Sequence, residues 1–361
     1  MKYVDEFRDP ALIAALARSL AAVAAGERAY RFMEVCGTHT MAVARFGLRR
    51  LLPANVELIS GPGCPVCVTP TSYLDHAVAL ARAGCVLATF GDMMRVPAST
   101  TDLTGLRAAG ADVRVVYSTL DALAYAAAHP DRNVVFLAVG FETTAPTVAA
   151  ALRRARAEGV SNFFVLVGHK LIPPALRALC RTPALALDGF LCPAHVSAVI
   201  GARAYEEFPR DWGVGCAVAG FEPTDILRGV YLLLRQCAAG EPRVDNEYGR
   251  VVKAEGNAAA RAVLDEVFAP ADAEWRGLGV VPASGLALRD AYAAFDAARA
   301  FDVAVEPTAP DAGCRCGDVL TGTLAPEGCA LFGGACTPAT PVGPCMVSSE
   351  GTCAAAYKYR V

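Results

Sequence analysis

Between residues 56 and 236 the chain alternates short apolar, β-branched runs with Ala/Leu/Arg-rich stretches of helical period. That alternation narrows its folds more than any other feature. Runs at 56–60, 85–90, 113–117, 134–139, 163–167 and 215–219 read as buried strands, and the stretches 74–82, 120–128, 148–156 and 226–236 read as the helices between them. Strands that alternate with helices build βαβ units and mainly parallel sheets covered on both faces. After Glu241 the pattern stops: 254–268 and 288–300 read as helices, and a cysteine-rich tail follows. The expected fold is α/β, with two similar α/β lobes of mainly parallel sheets plus a smaller helical, cysteine-rich domain. The boundaries fall at 1–140, 141–245 and 246–361, with the N-terminal segment free to pack on the second lobe. A weak repeat agrees with two lobes. Gly140-Phe141-Glu142 and Gly220-Phe221-Glu222 each follow a strand and lead into a helix, as do Gly63-Cys64-Pro65 and Leu191-Cys192-Pro193.

Six of the fourteen cysteines lie between Cys314 and Cys353. Four are spaced Cys329-x6-Cys336-x8-Cys345-x7-Cys353 among Gly and Pro, in a segment with few core-forming residues. Such a tail needs disulfides or a metal centre to hold it. The chain opens without a secretory signal and has no apolar run long enough to span a bilayer, so a cytoplasmic protein is expected, with no membrane partner. In that compartment clustered cysteines are metal-binding or catalytic rather than structural disulfides. Structural zinc would show tight Cys-x2-Cys knuckles, which the tail lacks. Wider spacings on an irregular backbone suit an iron–sulfur cluster, so a [4Fe-4S] centre is the expected cofactor. Cys314 and Cys316 are rival choices for two of its ligands. A net charge of -3 offers no basic patch, which argues against a nucleic-acid partner.

Chemistry in open parallel sheets gathers at the carboxyl ends of the strands, and the polar motifs fall there. A strand-like run over 30–35 ends in Cys36-Gly37-Thr38-His39, a thiol and an imidazole able to face one cavity and to ligate a metal, or to work as an activated thiolate. A buried cysteine beside a capping Thr-His is the bland alternative. Cys64-Pro65-Val66-Cys67, on a Gly/Pro-rich loop before a helix, reads as a redox dithiol, with zinc as the alternative. Cys192-Pro193-Ala194-His195 reads most simply as a buried cysteine and a first-turn histidine. Glu142 and Glu222 are either cleft carboxylates that exchange protons or residues that favour the helices after them.

Taken together, these motifs resemble the HypD family of hydrogenase maturation factors along nearly the whole chain. The resemblance rests on Cys36-Gly-Thr-His39, Gly61-Pro-Gly-Cys64-Pro-Val-Cys67, Gly140-Phe-Glu-Thr-Thr144, Cys192-Pro-Ala-His-Val-Ser197 and Gly220-Phe-Glu-Pro223. In the tail it rests on Cys314-Arg-Cys316-Gly-Asp-Val, Cys336-Thr-Pro and Gly343-Pro-Cys-Met-Val-Ser-Ser-Glu-Gly351. The resemblance implies a scaffold with thiol and cluster redox activity, on which the Fe(CN)2CO unit of [NiFe]-hydrogenases is assembled together with a small HypC-type chaperone. HypE, with HypF, would donate the cyanide. It further implies that Cys36 holds the nascent iron with His39 beside it and that Cys64 and Cys67 form the redox pair. Cys329, Cys336, Cys345 and Cys353 would then carry the cluster, with Glu142 and Glu222 managing protons. Some members have a second histidine shortly after the Cys-Gly-x-His motif. Met41 stands there in this chain, so no role of that imidazole carries over. Two other functions fit the residues alone: a [4Fe-4S]-dependent protein disulfide reductase, and a non-redox zinc-binding protein.

Overall fold

The computed structural model describes residues 5–182, 185–309 and 313–359. Two parallel sheets form the core of the molecule. The first has five strands in the order β2-β1-β7-β8-β9: β1 (Tyr30–Glu34), β2 (Val56–Ser60), β7 (Gly189–Pro193), β8 (Gly215–Ala219) and β9 (Val244–Asn246). The second has four in the order β4-β3-β5-β6: β3 (Val86–Thr89), β4 (Val113–Val115), β5 (Val134–Ala138) and β6 (Phe163–Val167). Strands in the middle of each sheet, such as β5 and β8, are buried at every position, which is why they read as unbroken apolar runs. The edge strand β2 alternates, with Glu57 on its exposed face.

The sheets divide the chain differently from the expected contiguous lobes. β1 and β2 join β7, β8 and β9, while residues 86–167 build the other sheet. The N-terminal segment thus completes the second lobe. The helix Pro10–Val23, started by Pro10 and by the Asp9 side chain accepting from the Ala11 N–H at 2.9 Å, packs beside the helix Pro223–Ala239 on that sheet. The repeat also falls differently. The two Gly-Phe-Glu turns close strands of different sheets, β5 and β8, but the two Cys-Pro pairs belong to one sheet: Cys64-Pro65 follows β2, and Cys192-Pro193 forms the end of β7 itself.

The region expected to be helical contains an antiparallel hairpin, β10 (Phe268–Trp275) with β11 (Gly279–Leu288). It packs against the second sheet rather than beside the tail alone: Phe268, Leu286 and Leu288 share a core with Val86, Phe136 and Phe163. The helix expected over 254–268 covers only Ala258–Val267, begun by the Asn257 side chain accepting from the Ala260 N–H at 3.1 Å. The one expected over 288–300 is a short 3-10 turn, Asp290–Phe295, and a single turn, Ala297–Ala300. The Asp296 carboxylate accepts from the Ala298 N–H at 3.0 Å and restarts the chain there. The cysteine tail is irregular, with short helices at Cys316–Leu320, Pro344–Val347 and Thr352–Tyr359. Among the described residues no helix is long and apolar enough to cross a membrane.

Candidate functional site

Cys36 leaves the carboxyl end of β1 and caps the helix Gly37–Arg45. Its loop is clamped against the dithiol loop by backbone: the Gly37 N–H donates to the Gly63 carbonyl at 2.9 Å. A Cβ on Gly63 would stand 2.2 Å from the Cys36 nitrogen, so no other residue fits there without moving the backbone. Gly37 is pressed in the same way against Glu350 of the tail, whose Oε1 accepts from the Thr38 hydroxyl at 2.7 Å. Burial, with the charge of Glu350 second, pushes the Cys36 thiol up to about 11; the Thr38 and His39 N–H groups at the helix start oppose this. The unliganded sulfur is therefore protonated at neutral pH, and a metal ion would have to displace that proton.

His39 is buried, and its Nε2 lies 3.1 Å from the Ala219 carbonyl and 2.9 Å from that of Gly220. Two carbonyl acceptors require the Nε2–H tautomer, which leaves a lone pair on Nδ1, and that atom has no partner. Burial lowers the imidazole to about 4, so the ring is neutral. Phe221 packs against it with the rings tilted at 43° and 4.9 Å between centroids, and in the same tilted way against the exposed His195 at 4.3 Å. Thr38, Glu350, Phe221 and His195 therefore surround the Cys36–His39 pair.

Cys64 caps the short helix Pro65–Val68, and its sulfur is bridged to that of Cys67. The Cys67 sulfur lies 3.9 Å from the carbonyl oxygen of Pro344, the residue before Cys345. Arg276, at the tip of the β10–β11 hairpin, grips the far end of this loop. Its N–H donates to the Val68 carbonyl at 2.9 Å, its Nε to that of Thr69 at 3.3 Å, and its Nη2 to the Thr71 hydroxyl at 2.7 Å. The same guanidinium acts on Cys316, and Gly277 is packed directly on Gly317. The hairpin missing from the sequence reading thus ties the dithiol loop to the tail.

All six tail cysteines line one apolar cavity of about 20 Å³. The Cys316 and Cys345 sulfurs are 2.8 Å apart. Hydrogen bonds with Cys314 and Cys345, joined by the charge of Arg276, hold the Cys316 thiol well below its ordinary range, while Cys345, which faces Cys316 and Cys353, is pushed up. The Cys336 sulfur accepts from the Val342 N–H at 3.4 Å. Among the described residues no three His, Cys, Asp or Glu side chains converge on a single metal ion. A cubane carries one thiolate on each of four irons, so its ligands ring it instead of converging. The donor set, six thiols around an apolar space, fits such a group in chemistry.

The two carboxylates differ. Glu142 is buried, its Oε1 accepts from the Ile172 N–H at 2.9 Å, and its Oε2 has no partner, so burial raises the carboxyl to about 7. Glu222 caps the helix Pro223–Ala239 and is bound by Arg8, whose Nη2 donates to Oε1 at 2.8 Å. It is the Phe of that Gly-Phe-Glu turn, not the Glu, that reaches the histidines. Cys192 is buried beside Cys216 on the neighbouring strand.

Comparison with known proteins agrees with this assembly of motifs. The family described as "HypD: Hydrogenase formation hypA family" matches residues 11–360. A protein of Azotobacter vinelandii named hydrogenase maturation factor HypD is 49% identical over 99% of this chain and 97% of its own length. The factor of that name from Rhizobium leguminosarum bv. viciae is 48% identical over 99% of this chain and 96% of its own. The one from Escherichia coli (strain K12) is 47% identical over 100% and 98%. With matches spanning both lobes, the hairpin and the tail, the chain belongs to the HypD family of hydrogenase maturation factors.

Proposed function

We propose that this protein is the scaffold on which the iron of a [NiFe]-hydrogenase receives its cyanide and carbonyl ligands, held between Cys36 and a cysteine of a small HypC-type partner. The observation that carries this reading is the meeting of three distant segments: Gly37 on Gly63, Thr38 on Glu350, and Cys67 beside Pro344. A thiolate suits a low-spin iron that also carries cyanide and carbonyl. Cys36 gives up its proton as the iron binds. His39, neutral and fixed by two carbonyls, presents Nδ1 as an acceptor or as a further ligand. HypE, charged by HypF, is the proposed cyanide donor.

The Cys64–Cys67 bridge stores two electrons and two protons when it opens to two thiols, and in this reading it drives the redox step of assembly. A [4Fe-4S] cluster on Cys329, Cys336, Cys345 and Cys353 would supply single electrons beside it when bound. The short Cys316–Cys345 contact favours a second ligand set, in which Cys314 and Cys316 replace Cys329 and Cys336. Glu142, with one bare oxygen, is the proposed proton relay. Glu222, already paired with Arg8, is left with a capping role.

The test is infrared spectroscopy on the anaerobically purified complex with its HypC-type partner. Wild-type protein should show cyanide and carbonyl bands. Cys36→Ala should keep its fold, its brown colour and its partner, and lose the bands. His39→Ala should lose them only partly. Undiminished bands in Cys36→Ala with the partner still bound would remove this residue from the iron site.

A further inference from the structure

The chain is nearly devoid of lysine: of its 33 Lys and Arg residues only Lys2, Lys170, Lys253 and Lys358 are lysines. Among the described residues Lys170 is the one that is buried. Lys170 follows β6 at the carboxyl end of the second sheet, where its N–H donates to the Gly140 carbonyl at 2.9 Å, and it is only 6% exposed. It lines a cavity of about 350 Å³ with Ser72, Tyr73, His76, His169 and Glu274. This cavity lies between the helix Thr71–Arg82 and the β10–β11 hairpin, apart from the Cys36 site.

Two features mark it as built for a ligand. His169 is 2% exposed, and neither ring nitrogen has a partner, so a donor and an acceptor are buried at the wall unused. Among the described residues the Lys170 ammonium makes no hydrogen bond or close ion pair; Glu274 reaches it only through space. A pocket that needed fixed positive charge would be served by arginine, which this chain uses nearly everywhere else. An amine differs from a guanidinium in being able to lose its proton and become a nucleophile.

We propose that this cavity takes a small uncharged or cationic aldehyde or ketone, which Lys170 holds as a reversible imine while His169 moves the protons. The Lys170 nitrogen donates its lone pair to the carbonyl carbon, and a C=N bond replaces C=O. The oxygen leaves as water with the two amine hydrogens, and nothing is oxidised or reduced. Glu274 and Asp272, both on β10 and both lining the cavity, disfavour an anionic carbonyl compound. Burial lowers the Lys170 amine to about 8 against the opposing pull of Glu274, and burial with the neighbouring ammonium lowers His169 to about 3, so the imidazole is neutral. The other groups facing the amine, Ser72, Tyr73 and His76, come from the helix Thr71–Arg82.

The experiment treats the full-length protein with glycolaldehyde, reduces it with borohydride and maps the modified lysines by mass spectrometry. Lys170 should be labelled roughly ten-fold faster at pH 7 than the exposed Lys253 and Lys358, because a lysine lowered to about 8 holds far more neutral amine at that pH. Its rate should level off above pH 8. Glyoxylate, an anionic aldehyde, should label it more slowly than glycolaldehyde does. His169→Gln should slow Lys170 alone. Labelling of Lys170 no faster than that of Lys253 would overturn the site, and this comparison is internal to the wild-type molecule. Faster labelling by glyoxylate would overturn the ligand class.

Discussion

The Cys36 site and the cysteine tail touch each other, yet they are held by different means. Around Cys36, order comes from the chain alone: two parallel strands deliver the loops, glycines let backbone meet backbone, and His39 is fixed by two carbonyls. The tail has six thiols around a small cavity, three short helices and little apolar mass. Its order is anchored from outside, where the helix Thr352–Tyr359 lies on Gly37–Arg45 and Pro344–Val347 lies on Pro65–Val68. A site built on sheet ends can be complete before its ligand arrives. On the proposed reading the thiol-lined tail would be completed by its ligand, as in small metal-dependent domains.

The largest expected effect breaks that comparison if it fails. Cys345→Ala or Cys353→Ala should abolish the brown colour and the roughly four irons and four sulfides per chain expected of a loaded cubane. Both changes should raise protease sensitivity after residue 313 while leaving the lobes folded by circular dichroism. Zinc in stoichiometric amount without acid-labile sulfide would sink the cluster. Paired variants decide the other two ligands: bleaching by Cys314→Ala and Cys316→Ala, with colour retained in Cys329→Ala and Cys336→Ala, would establish the second ligand set.

A smaller effect sharpens the comparison. Gly63→Ala drives a methyl against the Cys36 backbone nitrogen, which cannot yield without shifting the loop, so we expect a loss of roughly 3 kcal/mol in urea unfolding. In the tail, a Cβ on Gly343 would meet the Cys314 sulfur, the end of a side chain able to rotate away. Gly343→Ala should cost the cluster-free protein under about 1 kcal/mol. Equal costs at the two positions would show that the tail is as rigid as the sheet-held site.

What the sequence made legible follows the same line. The strands over 163–167 and 215–219 are found at those limits because their residues are apolar throughout and largely buried, and the one over 56–60 because Val56, Leu58 and Ile59 stay apolar around the exposed Glu57. The motifs at Cys36, Cys64–Cys67 and the tail could be read as motifs because each groups several reactive residues within a few positions. The hairpin β10–β11 was hidden because its strands carry Ala, Pro and Gly and pair with each other, with a single bridge from Gly285 to Lys170 just after β6, a matter that local period does not record. The same holds for the joining of β1 and β2 to β7. Phe221, His195, Glu350 and Arg276 enter the site singly, from four separate elements, and no spacing joins them. The Gly-Phe-Glu repeat did signal both turns, but the tripeptide could not say which of its side chains faces inward.

That turn supplies the smallest and most discriminating pair. Glu142 is raised from its ordinary value to about 7 by burial, so the folded state holds its proton more tightly than the unfolded chain does. Its contribution is then fully present below about pH 4.5 and is lost as pH rises through 7 and the buried carboxylate ionises. At pH 8 the native state carries that cost, of roughly 2–3 kcal/mol. Glu142→Gln keeps an oxygen for the Ile172 N–H and removes the charge, so it should raise the pH 8 stability by about 1–3 kcal/mol and flatten the fall between pH 4.5 and 7, while slowing maturation if the carboxyl relays a proton. Glu222→Gln loses only a partly exposed pair with Arg8 and should cost under about 1 kcal/mol, less still at high salt. Chemical denaturation across pH 4–9 separates the two. A stability loss at pH 8 in Glu142→Gln would mean that the buried carboxylate has a partner in the native state, and the turn would then hold two structural glutamates instead of one.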